Sequence, residues 1–286
     1  MRKIFAWLGV LLLSFTTIAH ADSVVGDVIV TLGENLSPAQ KEQVLEEMDV
    51  PSDVTTVTVS NAEEHKYLGE YIPKAQIGSK AISSSKITMK EKGYGINVQT
   101  HNISWVSKEM YTNALSTAGV KDADIYITAP FEVSGTAALT GLIKAYETST
   151  GEKIPEEQKQ VANEEMVTTA KLGDQIGEKQ ATELIQRIKE EVAKENPQTL
   201  QEIKVIVNNV SNELNIQLTQ DQTDRLAALF DKMKNLDINW DQVNNQLDKA
   251  KEKWNDFKNS DEGQGILQSI IDFLQRIVDW IAGLFK

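Results

Sequence analysis

Near residue 150 the apolar residues of this 286-residue chain change their period. From Val24 to about Tyr146, short runs such as VVGDVIVTL and TTVTVS alternate apolar with polar residues, and amphipathic runs separate them. Alternation with period two turns one face of a strand to a core, whereas recurrence every three or four residues paints a stripe on a helix. From Pro155 onward only the second period remains. The expected fold class is α+β: an α/β layered domain over residues 22–150, then an all-α helical region over 151–286.

Local signals fix an order within the first part. VVGDVIVTL reads as a strand, and Ser37 with Pro38 forms an N-cap and N1 pair opening AQKEQVLEEM. TTVTVS is a second strand, and Asn61 with Glu64 is read as the capping box of AEEHKYLGEYI. Residues 80–105 read as a hairpin with its turn at Lys92-Gly93-Tyr94-Gly95. Ser107 caps the helix KEMYTNALSTA and Gly119 ends it, ADIYITAPFEV is the last strand, and Ser134-Gly135 opens TAALTGLIKAYE. The order is β-α-β-α-β-β-α-β-α, with parallel neighbours expected wherever a helix separates two strands. In the second part, breaks fall at Gly173–Gly177, Asn196-Pro197, Leu218-Thr219, Asp237–Asn239 and Ser260–Gly265.

The chain begins with a basic pair, Arg2 and Lys3, then an apolar run from Ile4 to Ile18, then Ala19-His20-Ala21. This is the pattern of a cleaved secretory signal peptide over residues 1–21, so the protein is expected to be exported, extracellular or associated with the cell envelope. The chain contains no cysteine, which removes disulfides, a lipid-modified cysteine and thiolate chemistry together. A formal charge of −13 argues against nucleic acid, whose binding rests on Lys and Arg against phosphate.

The strings GDVIVTLGENLS, QIGSKAISSSKIT, ITAPFEVSGTAALTGLIKAYE and LGDQIG resemble the YpuA-like family, signal-peptide-bearing proteins of Gram-positive bacteria classed as a domain of unknown function (1002). The resemblance implies export and the two-part layout. It implies no catalytic residue, cofactor or substrate.

Four groups of residues are candidates for chemistry. Ser134, Gly135 and Thr136 join the end of a strand to a helix, where free N–H groups attract anions; a simple N-cap is the plain alternative. Ser83 and Lys86 form a Ser-x-x-Lys pair, but on a strand a spacing of three puts them on opposite faces. Asp237, Asn239, Asp241 and Asp248 match positions of a calcium loop, yet Gln242 stands where the loop needs glycine, so capping by Asp237 or Asn239 is the plainer role. His65 and His101 lack paired ligands at metal spacing, although Glu63 and Glu64 adjoin His65. No metal or other cofactor is expected.

The last segment, residues 265–286, is the most apolar after the leader. Ile270, Phe273, Ile277, Trp280 and Leu284 form one seam, with Leu267, Ile271, Leu274, Val278 and Ile281 beside it and only Gln268, Asp272, Gln275 and Asp279 opposite. Such an amphipathic helix needs a cover, either protein or the interface of a membrane. The expected function is therefore that of a non-enzymatic binding or interaction module at the cell envelope, with an unidentified partner or self-association. The alternatives are an envelope hydrolase with a serine nucleophile such as Ser83 or Ser134, and a peripheral membrane protein anchored by the final segment.

Overall fold

Apolar alternation is realised as five strands: β1 (Val28–Gly33), β2 (Thr55–Val59), β3 (Ser84–Met89), β4 (Ile96–Thr100) and β5 (Ala123–Thr128). The computed structural model describes residues 25–259. Both the leader, residues 1–21, and the seam residues Ile270, Phe273, Ile277, Trp280 and Leu284 lie outside the described residues. Helices α1 (Pro38–Glu47), α2 (Asn61–Leu68), α3 (Lys74–Ile77), α4 (Lys108–Ala118) and α5 (Thr136–Thr150) interleave with the strands. Then follow α6 (Glu156–Ile176), α7 (Glu178–Glu195), α8 (Leu200–Glu213), α9 (Gln220–Lys234) and α10 (Trp240–Asn259). The α+β class and its order are as read from the sequence, with α3 added.

The sheet runs β2-β1-β3-β5-β4. β1 pairs parallel with β2 and β4 with β5, while β3 is antiparallel to both of its neighbours. The expected hairpin of residues 80–105 is therefore corrected: β3 and β4 do not pair, because β5 lies between them. Burial explains the exchange. β5 carries Ala123, Ile125 and Ile127 fully inward and belongs in the middle, whereas β4 leaves Gln99 exposed and suits an edge. Gly93 and Gly95 take positive φ, so the glycine-rich link turns the chain without forming a two-strand ladder.

A second correction concerns the cap of α2. Ser60, not Asn61, is the N-cap: its Oγ accepts from Glu63 N at 3.1 Å, and Glu63 Oε2 accepts from Ser60 N at 2.8 Å. Ser60 leaves β2 in extended conformation, so the helix starts one residue earlier than the Asn61–Glu64 spacing suggests. Similarly, α5 has Gly135 as its N-cap in the left-handed region, and no side chain caps it. Ser37 and Ser107 cap α1 and α4 as expected, and Gly119 ends α4 at φ 87°.

Register separates the sheet's two faces. Ile29, Ile87, Ile125 and Val98 align in one row and face α2, α4, α5 and α6, which supply Leu68, Met110, Leu115, Leu139, Leu142 and Met166. The neighbouring row, Val30, Lys86, Tyr126 and Gln99, lies on the opposite face. There α1 packs Val44 and Met48 over Val30 and Leu32. A separate core lies among α7 to α10, where Leu184, Ile188, Ile206, Val207, Leu226, Phe230 and Leu247 meet. Helix α6 serves both, giving Ala162, Met166 and Ala170 to the sheet and Val161 and Leu172 to the bundle.

Candidate functional site

Because β1, β2, β4 and β5 all point the same way, their carboxyl ends share one edge, the place where open α/β sheets bind ligands. Two carboxylates organise that edge. Glu47, at the end of α1, accepts three hydrogen bonds on Oε1: from Thr128 Oγ1 at 2.7 Å, His101 Nδ1 at 2.8 Å and Tyr126 OH at 2.9 Å. Burial alone would raise its pKa, but the bonds from Thr128, Tyr126 and His101 together outweigh it and hold the carboxyl below its ordinary range. His101, just past β4, is half exposed with Nδ1 committed to the carboxylate. That orients the ring and leaves Nε2 as its second polar atom for a contact from solution.

Glu64, on α2, is the second. It is 2% exposed, and burial raises its pKa against bonds from Thr136 Oγ1 and Asn61 Nδ2 and the nearby His65. The Asn61 bond measures 3.3 Å, and Asn61 also donates to Gly78 O. Behind it Tyr111 OH donates to Gly135 O at 2.5 Å, and burial pushes the Tyr111 phenol upward. A carboxyl from within the protein thus sits against the first turn of α5.

The sequence candidates can now be placed. Thr136 Oγ1 is bound to Glu64, and Ser134 Oγ lies 3.2 Å from Thr136 Oγ1. A side chain at Gly135 would run into Tyr111 OH and Ile103, so glycine is required there. Lys86 donates to Met48 O under α1, and Ser83 is buried just before β3, three residues away and so on the other face. Asn239 Oδ1 accepts from Gln242 N at 2.9 Å and caps α10. Asp241 and Asp248 are exposed positions along that helix. Among the described residues no group of three or more His, Cys, Asp or Glu side chains is placed to hold a metal. His65 Nε2 donates to Gly78 O at 2.9 Å, which ties α2 to the turn after α3.

Sequence reading singled out His101 but not its partners. Glu47, Tyr126 and Thr128 come from an unremarkable helix end and from a strand whose alternation only says which residues face outward. Their convergence follows from β5 entering next to β3, which no local pattern encodes.

A family described as "Protein of unknown function (DUF1002)" matches residues 32–250. The protein of Bacillus subtilis (strain 168) described as "Uncharacterized protein YpuA" is 57% identical over 292 residues, covering 100% of both chains. No solved structure matches. With the match spanning the sheet, the bundle and the edge just described, the chain belongs to the DUF1002 family.

Proposed function

We propose that this protein is an exported, non-enzymatic binding module of the cell envelope, held to a protein partner through residues 265–286. Residues 1–21 supply the export pattern. The observation that carries the binding reading is the apolar bookkeeping of the described surface. Its exposed large hydrophobic residues are Val25, Phe131, Leu200 and Val205, spread over the start of the sheet domain, the β5–α5 loop and α8. None of these places offers a broad apolar seat. The double seam that the sequence carries around Ile270, Phe273, Ile277, Trp280 and Leu284 is an apolar surface that a partner would cover.

Protein is the better cover on charge. The segment carries only Arg276 and Lys286 against Asp272 and Asp279, and the whole chain carries a formal −13. Helices that lie on anionic membranes instead present Lys and Arg on their polar face. A second copy of the segment is the simplest partner, since its own seam has the required spacing.

The test has two parts. Fractionation of culture is expected to place the protein outside the cytoplasm, and a cytoplasmic protein would remove the envelope reading. Sedimentation of the chain lacking residues 1–21 is expected to show association that disappears when residues 265–286 are deleted. If the full chain is monomeric and instead co-sediments with liposomes only while the segment is present, the anchored-membrane alternative replaces this one.

A further inference from the structure

Helices α2, α5 and α6 enclose a cleft of about 140 Å³ on the opposite side of the sheet from α1. For scale, an apolar cavity of about 150 Å³ is large enough for benzene. Two of its wall residues are polar and buried, Thr140 at 5% and Asn163 at 0% exposure. Thr140 Oγ1 and Asn163 Oδ1 both lack a hydrogen-bond partner within the protein. The Asn163 amide is not free to turn over, because its Nδ2 donates to Lys159 O at 2.8 Å. Its oxygen is thus a directed acceptor with nothing donating to it, a costly arrangement unless something enters.

The charged part of the wall consists of two ion pairs. Glu63 meets Lys144 at 2.7 Å, and Glu147 meets Lys159 at 2.9 Å. The second pair is well enclosed, at 10% and 12% side-chain exposure. Two carboxylates and two ammonium groups leave the wall without net charge. A singly charged ligand would gain one contact and face one repulsion at each pair. A molecule carrying both charges a few ångströms apart can bring its ammonium to a carboxylate and its carboxylate to a lysine.

We propose that this cleft binds a small zwitterion of the size of glycine or alanine, its ammonium donating to Asn163 Oδ1 and a wall carboxylate and its carboxylate meeting Lys144 and the Thr140 hydroxyl. The cleft is built from α2, α5 and α6 alone, and its test does not depend on the role proposed for residues 265–286.

Calorimetric titration and thermal shift of the chain lacking residues 1–21 test it, using glycine, L-alanine and D-alanine, with acetate and methylammonium as singly charged controls. Saturable binding of at least one amino acid at millimolar concentration is expected, with none by the two controls. Lys144→Met, at a half-exposed position, and Thr140→Val, which removes the hydroxyl at nearly constant shape, are each expected to weaken it about tenfold. Circular dichroism confirms that both variants fold. Absence of saturable binding by all three amino acids means that the cleft holds water only and overturns the proposal. So does equal binding by a control, or amino-acid binding that both variants leave unchanged.

Discussion

Glu165 and Lys189 lie 2.6 Å apart with both side chains at 0% exposure, which makes them the deepest ion pair among the described residues. Lys189 Nζ also donates to Thr117 Oγ1 at 2.7 Å and Asn113 O at 2.8 Å, and Thr117 Oγ1 donates to Glu165 Oε2 at 2.6 Å. Burial lowers the Lys189 pKa against the pull of Glu165. A pair of this kind adds little against an apolar replacement but costs heavily when halved. Lys189→Met or Glu165→Gln is expected to lower unfolding free energy by about 3–5 kcal/mol in urea titration, with the double change Lys189→Met and Glu165→Met less damaging than either single one. Losses below about 1 kcal/mol would show that water reaches the pair. Glu64 gives a prediction in pH. Its folded pKa lies above its ordinary 4.5, so well below that value both states are protonated and the group adds no dependence on pH. As pH rises past it the unfolded chain ionises first, and stability falls until the folded carboxyl ionises too. Glu64→Gln should therefore gain on the parent protein as pH is raised from acid to neutral; a difference that stays flat with pH would contradict this.

At the scale of elements, Gly135 shows how a helix start can depend on one backbone angle. It sits at φ 91°, and a Cβ there would meet Tyr111 OH and Ile103. Gly135→Ala is expected to cost about 1–3 kcal/mol from strain and crowding together, measured by thermal denaturation. A neutral result would mean that the Tyr111 bond to Gly135 O yields easily. The same elements show what the sequence discloses. Ser37, Ser107 and Gly119 are legible because capping is local: a serine hydroxyl reaches an N–H three residues on, and glycine takes the left-handed turn that ends a helix. The α2 cap was misplaced by one residue because Ser60 and Asn61 are both good caps, and the exit angle of β2 chooses between them. Strand pairing was less legible still. The residues of β3 and β4 alternate as a hairpin should, but alternation reports a face and says nothing of a neighbour. The Glu47 cluster inherits that blindness, since Tyr126 and Thr128 reach Glu47 only after β5 has taken the place beside β3.

For the whole molecule, α6 decides how the parts answer to stress. Its Met166 and Ala170 are buried with the sheet, its Leu172 with the bundle, and its Glu165 joins α4 to α7 through Lys189. Neither core is complete without it. The chain from residue 22 to 259 is therefore expected to unfold in a single calorimetric transition, with calorimetric and van't Hoff enthalpies equal. Two resolved transitions would mean that each core closes over its own part of α6.

The strand order carries a consequence in time. A chain made from its N-terminus presents β1, β2, β3 and β4 before β5 exists, yet β5 is the strand that β3 and β4 both need. Until residue 128 has appeared, the inner edge of β3 and the only paired edge of β4 stay open, and the apolar row through Ile87 and Val98 has a gap. The sheet is thus sealed from its middle and late in synthesis, and nascent chains stalled near residue 100 are the ones most exposed to joining their neighbours.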